Sequence, residues 1–231
     1  MADYTLTLNI DPVDLAIIRG AQQRLTLAKP VGSGDPNVVW LSIDPFQSTT
    51  VEWTEDYWIY ASTTAISEGA SISKLSEVTP GPALDAGYYP FTSAAVFNDI
   101  QKSNEIPRGT YAANNEMPYS QYPALTFGLS QSALVNKKKA DRKPISAQTA
   151  LATQQAAMTP FTNIHIWLQS QFASETIITK ITGKSTVAKF GGGISEITLK
   201  YAPERGIFVP EPKDKGMIDN GLIELREPLI Y

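Results

Sequence analysis

The stretch Leu6-Thr7-Leu8-Asn9-Ile10 alternates apolar and polar side chains with a period of two. Such alternation over four to eight residues is typical of a β-strand that buries one face. The pattern recurs at residues 24–28, 38–42, 50–60, 70–75, 164–168, 176–181 and 194–201. No regular succession of helices separates these runs, so the sequence predicts an all-β fold, and we expect an antiparallel β-sandwich of the jelly-roll kind.

Three segments between these runs need separate interpretation. Gly191-Gly192-Gly193 predicts a turn or bulge, and Asp219-Asn220-Gly221 between two apolar pairs predicts a tight hairpin near the C-terminus. The Ala- and Gln-rich segment 146–158 predicts either a short helix or an exposed strand. Segment 79–121 contains five prolines and several tyrosines, and we interpret it as a long irregular connection.

A weak internal repeat suggests how the chain is divided. Leu6–Ile10 matches Leu125–Leu129, and Val39-Trp40-Leu41 matches Ile166-Trp167-Leu168, in the same order along the chain. If the repeat is real, two similar β units span residues 1–100 and 122–231 and are joined by a Pro/Tyr-rich connection at 101–121. The alternatives are chance similarity among Thr- and Ile-rich strands, and one single compact domain.

The composition excludes several kinds of catalytic site. The 231 residues include one His and no Cys, which removes disulfides, thiol nucleophiles and multi-His metal clusters. His165 shares a strand face with Trp167 and Gln169, and we interpret it as a structural residue because no Gly-x-Ser-x-Gly motif accompanies it. The net charge of −4 gives no reason to expect nucleic acid as a partner. We expect no cofactor and no bound metal.

The sequence contains no apolar run long enough for a transmembrane helix. Its first fourteen residues lack the basic and apolar regions of a signal peptide. We therefore expect a cytoplasmic protein or one released by a non-classical route.

The densest aromatic and acidic cluster is the run EWTEDYWIY at 52–60. Aromatic rings stack on the C–H faces of sugars, while carboxylates accept hydrogen bonds from sugar hydroxyls. The structural alternative is a strand with one core face and solvated acids. Together with two tyrosines of the connection, the cluster predicts a ligand-binding surface formed by Trp53, Glu55, Asp56, Tyr57, Trp58, Tyr88 and Tyr89.

The run at 52–60 resembles the Glu-containing strand of the small jelly-roll xylanases over fewer than ten residues, and that resemblance implies glycosidase activity. Glycoside hydrolysis needs two carboxyl groups about 5–10 Å apart. Glu52 and Asp56 are about 13 Å apart along one strand face, which is too far for a retaining pair. Glu175 or Glu196 is the partner that the fold could bring close.

We favour a non-catalytic, lectin-like protein that binds carbohydrate. The first alternative is a membrane-active cytolysin or insecticidal-type toxin, with segments 146–158 and 174–182 able to insert. The second is a self-assembling structural protein that associates through a C-terminal hairpin ending in Leu229-Ile230-Tyr231. The expected partners are therefore a glycan or a membrane surface, and further copies of the chain.

Overall fold

Strands make up 48% of the structure and helices 5%, which confirms the predicted all-β class. The computed structural model describes residues 3–32, 34–211 and 216–227. In chain order the elements are β1 (Asp3–Asn9), α1 (Pro12–Gly20), β2 (Arg24–Ala28), β3 (Leu41–Ile43), β4 (Ser48–Thr54), β5 (Trp58–Ser62), β6 (Lys74–Glu77), β7 (Gly87–Phe91), β8 (Gln101–Lys102), β9 (Tyr111–Asn115), β10 (Ala124–Val135), β11 (Lys138–Pro144), β12 (Gln148–Leu151), β13 (Gln155–Met158), β14 (Asn163–Gln169), β15 (Ser185–Lys189), β16 (Glu196–Ala202), β17 (Ile207–Pro210), α2 (Gly216–Asp219) and β18 (Ile223–Arg226).

The strands form three sheets of mainly antiparallel pairing. The nine-stranded sheet has the order β17-β16-β1-β4-β10-β5-β6, with β11 and β12 also paired to β10. The four-stranded sheet has the order β13-β9-β7-β8, and the five-stranded sheet the order β18-β15-β14-β2-β3. Parallel pairs join β1 to β16 and β7 to β9. The sheets are thus mixed, while the sandwich arrangement and the internal repeat stay predictions.

Strand β10 organises the nine-stranded sheet because β4 and β5 follow one another along its edge. Glu52 of β4 lies opposite Leu134, and Trp58 of β5 lies opposite Ser130. Trp58 follows Glu52 by six positions, whereas their partners on β10, Ser130 and Leu134, are only four positions apart. The extra residues form a bulge at 55–57, so the predicted single strand over 50–60 is divided in two.

Most of the predicted strands are present. Those expected near 6–10, 24–28, 164–168 and 194–201 are β1, β2, β14 and β16, whereas those expected at 38–42 and 70–75 begin later, as β3 and β6. Segment 146–158 forms β12 and β13 and is therefore not a helix; Ala150 and Ala156 are buried, while their neighbours within these strands are exposed. Segment 79–121 is not irregular throughout, because it supplies β7, β8 and β9.

The helices were not expected from the sequence. Helix α1 begins at Pro12 and buries Leu15 and Ile18, while the exposed apolar side chains of Val13 and Ile17 blur its amphipathic pattern. Near the C-terminus, the predicted hairpin is wrong. Gly221 adopts a φ of 68° after α2, and its N–H donates to the Ile218 carbonyl, so it ends a helix instead of forming a strand turn.

Glycines at 191–193 form the expected turn, each with positive φ. Leu229-Ile230-Tyr231, the proposed associating end, lies outside the described residues. Neither helix in the described ranges has the length and apolar character needed to cross a membrane.

Strands from the two proposed units share the large sheets. Strand β16 pairs with β1, β14 pairs with β2, and β10 lies between β4 and β5. The boundaries at 100 and 122 stay predictions, and each large sheet takes strands from both sides of them.

Packing around β10 leads to a first test. A Cβ added at Gly128 would lie 1.9 Å from the Ser146 carbonyl oxygen and 2.5 Å from the Tyr60 hydroxyl. We expect Gly128→Ala to lower the free energy of unfolding by about 3 kcal/mol, measured by urea denaturation. Gly183→Ala is the matched control because nothing lies within 4 Å of its added Cβ. Equal effects of the two substitutions would contradict the described packing.

Candidate functional site

Three of the seven residues of the predicted ligand-binding surface lie in the core. Trp53, Tyr57 and Tyr89 are only 4%, 2% and 6% exposed, respectively. The other four members are half-buried: Glu55, Asp56, Trp58 and Tyr88. The buried rings pack within the protein and do not form one exposed concavity.

The structure brings three of the seven residues together and separates the rest. Trp53 and Tyr57 both donate hydrogen bonds to Glu55, the first from Nε1 over 2.9 Å.

The other four residues have separate partners. The Trp58 ring lies 5.9 Å from the Arg142 guanidinium. The Tyr89 hydroxyl accepts a hydrogen bond from the Leu84 amide. Asp56 accepts one from the Thr54 hydroxyl, and Tyr88 donates one to Gln101.

A fully buried lysine, which the sequence did not reveal, lies at the centre of this group. The Lys29 ammonium donates to Glu55 Oε1 over 3.0 Å, Gln131 Oε1 over 2.8 Å and the Tyr57 hydroxyl over 3.2 Å. It also lies 5.3–5.7 Å from the ring centroids of three aromatic side chains. We call this set the Lys29 cage; its members are Lys29, Trp40, Trp53, Glu55, Tyr57 and Gln131.

The charges in the Lys29 cage depend on one another. Burial lowers the pKa of Lys29, and the Glu55 carboxylate opposes that shift. Burial alone would raise the pKa of Glu55, but Lys29 and the hydrogen bonds from Tyr57, Lys29 and Trp53 outweigh it and lower the pKa. Burial, followed by the nearby Glu55, raises the pKa of Tyr57, which therefore remains a neutral donor. Glu55 is thus held as a carboxylate.

A second feature is a cleft of about 510 Å³ beside the five-stranded sheet, which we call the His165 cleft. His165 of β14 lies opposite Val187, and Val187 lies opposite Glu224 of β18. Two residues further along the β15–β18 pairing, Ser185 lies opposite Arg226. The complete lining is Asp35, His165, Lys180, Ile181, Thr182, Gly183, Ser185, Glu224, Arg226 and Glu227.

His165 is a buried base in the wall of this cleft. It is 3% exposed, and its Nδ1 has no hydrogen-bond partner within the described ranges. Burial, then the nearby Arg226 charge, lowers its pKa to about 4, although Asp35 and Glu224 oppose the shift. The imidazole is therefore neutral at pH 7, with one donor and one acceptor nitrogen. An unpaired buried polar atom costs about 1–3 kcal/mol.

Fixed charges of both signs line the same cleft. The Arg226 guanidinium donates to Asp35 over 2.6 Å and to Glu224 over 2.9 Å. The hydrogen bond from Arg226 lowers the pKa of Glu224, so this side chain is an ionised carboxylate that accepts hydrogen bonds. The arrangement is suited to a ligand that both donates and accepts.

Segment 174–182 leads into one wall of the His165 cleft. Ile177 and Ile178 are buried, and Ile177 forms an isolated bridge with Val38. The strand predicted at 176–181 is absent because these residues make single bridges to two other segments. In the described fold, this segment packs Ile177 and Ile178 inward, while Ile181 is half-buried and lines the His165 cleft.

The structure also places the carboxyl groups considered for glycoside hydrolysis. Glu52 and Glu196 are both in register with Thr5, on the two strands that flank β1. Their backbones are thus about 10 Å apart, two strand spacings. Glu175 is instead paired with Lys143. A groove of about 350 Å³ is lined by Glu52 but not by Glu196, so it does not enclose the pair.

Comparison with known proteins finds no matching family model, no similar curated protein and no similar solved structure.

The buried state of His165 leads to a second test. Its pKa is about 4 in the folded chain against 6.5 ordinarily, so between these values the unfolded chain binds more protons. The free energy of unfolding should therefore fall as the pH drops from about 6.5 to about 4, by about 3 kcal/mol at 1.4 kcal/mol per pKa unit. We expect His165→Gln to remove that part of the pH dependence in urea titrations at pH 7 and pH 4.5. Parallel losses in both proteins would contradict the buried neutral imidazole.

Proposed function

We propose that this chain is a non-catalytic, lectin-like binding protein that takes a small saccharide in the His165 cleft. One observation carries the proposal: a buried imidazole with an unpaired Nδ1 lies in the wall of a cleft that also presents fixed charges of both signs. The volume of about 510 Å³ falls within the range of about 300–1,000 Å³ that small-molecule sites occupy.

The chemistry of the lining favours a hydroxyl-rich ligand over a simple ion. Each sugar hydroxyl both donates and accepts, and the cleft offers partners for both functions. Asp35 and Glu224 accept, Lys180 and Arg226 donate, and the Ser185 hydroxyl does either. A ligand with one sign of charge would meet repulsion from one half of this set.

This proposal keeps the ligand class expected from the sequence and changes its location. Trp53 and Tyr57 are buried members of the Lys29 cage and do not line the His165 cleft. We also propose that the nine- and five-stranded sheets pack as a sandwich. The supporting contact is between Gln131, on β10 of the first sheet, and Lys29, directly after β2 of the second.

The proposal leads to a third test, on glycan arrays followed by calorimetry with the saccharide that binds. We expect Arg226→Ala to weaken binding at least tenfold, a loss of about 1.4 kcal/mol, because its guanidinium orders both Asp35 and Glu224. Arg24→Ala is the matched control, since Arg24 makes an equally short ion pair with Asp44, 2.6 Å, away from the cleft. We expect this variant to bind as the parent does.

Two results would contradict the proposal. One is the absence of any saccharide that binds the parent chain, and the other is unchanged affinity in Arg226→Ala. Release of reducing sugar from a bound oligosaccharide would instead favour the glycosidase alternative, with Glu52 and Glu196 as the carboxyl groups.

A further inference from the structure

A buried primary amine and a buried carboxamide lie in contact in the Lys29 cage. Lys29 and Gln131 are each 0% exposed, and Nζ is 2.8 Å from Oε1. A carbonyl bond is about 1.2 Å long, so the Gln131 Cδ lies within about 4 Å of the amine. We propose that these two side chains join through an isopeptide bond after the chain has folded.

The fold holds the carboxamide in place for this reaction. Gln131 Nε2 donates to the Thr54 carbonyl over 2.6 Å, and the Gln131 backbone oxygen accepts from Trp40 Nε1 over 3.1 Å. Gln131 lies opposite Lys143 of β11, and the register of this pairing shifts directly after it, with the extra residue on β11. Because the fold holds the two reacting groups at contact distance, their reaction avoids much of the entropy loss of an intermolecular reaction.

Glu55 lies between the two nitrogens that must exchange protons. Its Oε1 is 3.0 Å from Lys29 Nζ and 3.5 Å from Gln131 Nε2. Because Glu55 is a carboxylate in contact with the ammonium, it can accept a proton from Lys29 and leave the uncharged amine that attacks Cδ. The same carboxyl group then returns the proton to the departing nitrogen. Glu55 thus acts as a proton shuttle.

The reaction balances without any other reagent. Nζ of Lys29 forms a bond to Cδ of Gln131, and the bond between Cδ and Nε2 breaks. The ammonium of Lys29 gives up two protons, and Nε2 leaves with them as an ammonium ion. Nothing is oxidised or reduced. The leaving group departs past Glu55, whose side chain is 25% exposed and therefore reaches solvent.

The bond would connect distant parts of the fold. It joins the residue after β2 in the five-stranded sheet to β10 in the nine-stranded sheet, 102 positions apart. A cross-link that closes so long a loop restricts the unfolded chain, as a disulfide does. The chain has no cysteine with which to form one.

High-resolution mass spectrometry of the purified, denatured full chain tests the proposal. We expect a mass lower than that of the sequence by one ammonia. Proteolysis should yield one branched peptide that joins Lys29 to Gln131. A folded parent chain with the full sequence mass and separate peptides would overturn the proposal. Loss of one water with a peptide joining Lys29 to Glu55 would also overturn it.

Substitutions separate the roles of the residues. We expect Lys29→Met and Glu55→Gln to retain the full sequence mass, with circular dichroism reporting whether each folds. Lys74→Met is the control, because Lys74 is a half-buried lysine that pairs with Glu77 over 2.6 Å outside the Lys29 cage. It should keep the ammonia deficit. A folded Glu55→Gln variant that still forms the branched peptide would overturn the role given to Glu55.

Discussion

The buried ammonium of Lys29 is the constraint on which the surrounding structure depends. An unpaired charge in a protein interior costs several kcal/mol, so the fold must supply a carboxylate, polar oxygens and aromatic faces around it. Glu55 and Gln131 supply the polar groups, and Trp40, Trp53 and Tyr57 supply the rings. These residues come from segments that follow β2, lie within or after β4, and form β10. The ammonium thus links the residue after β2 of the five-stranded sheet to β10 of the nine-stranded sheet.

The same constraint gives a physical reason for the bulge between β4 and β5. In an uninterrupted pairing, every residue between Thr54 and Trp58 would lie opposite a residue of β10. The extra residues at 55–57 instead let Glu55 and Tyr57 both reach the Lys29 ammonium. Trp53 reaches the same carboxylate from the end of β4. Three residues of the aromatic and acidic run that first suggested a sugar-binding surface, Trp53, Glu55 and Tyr57, therefore belong to the Lys29 cage.

The sequence predicted what depends on neighbouring residues. Period-two alternation located β1, β2, β14 and β16, and the sequence predicted a ligand-binding face that includes Trp53, Glu55 and Tyr57. It did not show whether that face pointed inward, because the deciding partner, Lys29, lies 26 residues before Glu55. The His165 cleft escaped prediction for the same reason. Its walls come from residues near 35, 165, 180 and 226, and only pairing between distant strands brings them together.

Strand β2 connects the Lys29 cage with the strand that carries His165. Ala28 lies opposite His165 across the β2–β14 pairing, and Lys29 is the next residue along the chain. Fixing Lys29 therefore fixes the end of the strand that borders the buried imidazole. A site whose walls are already ordered loses less conformational entropy when a ligand binds. For the proposed saccharide, the Lys29 cage thus contributes to affinity without touching the ligand. It does so because it fixes the end of β2, which pairs with the strand that carries His165.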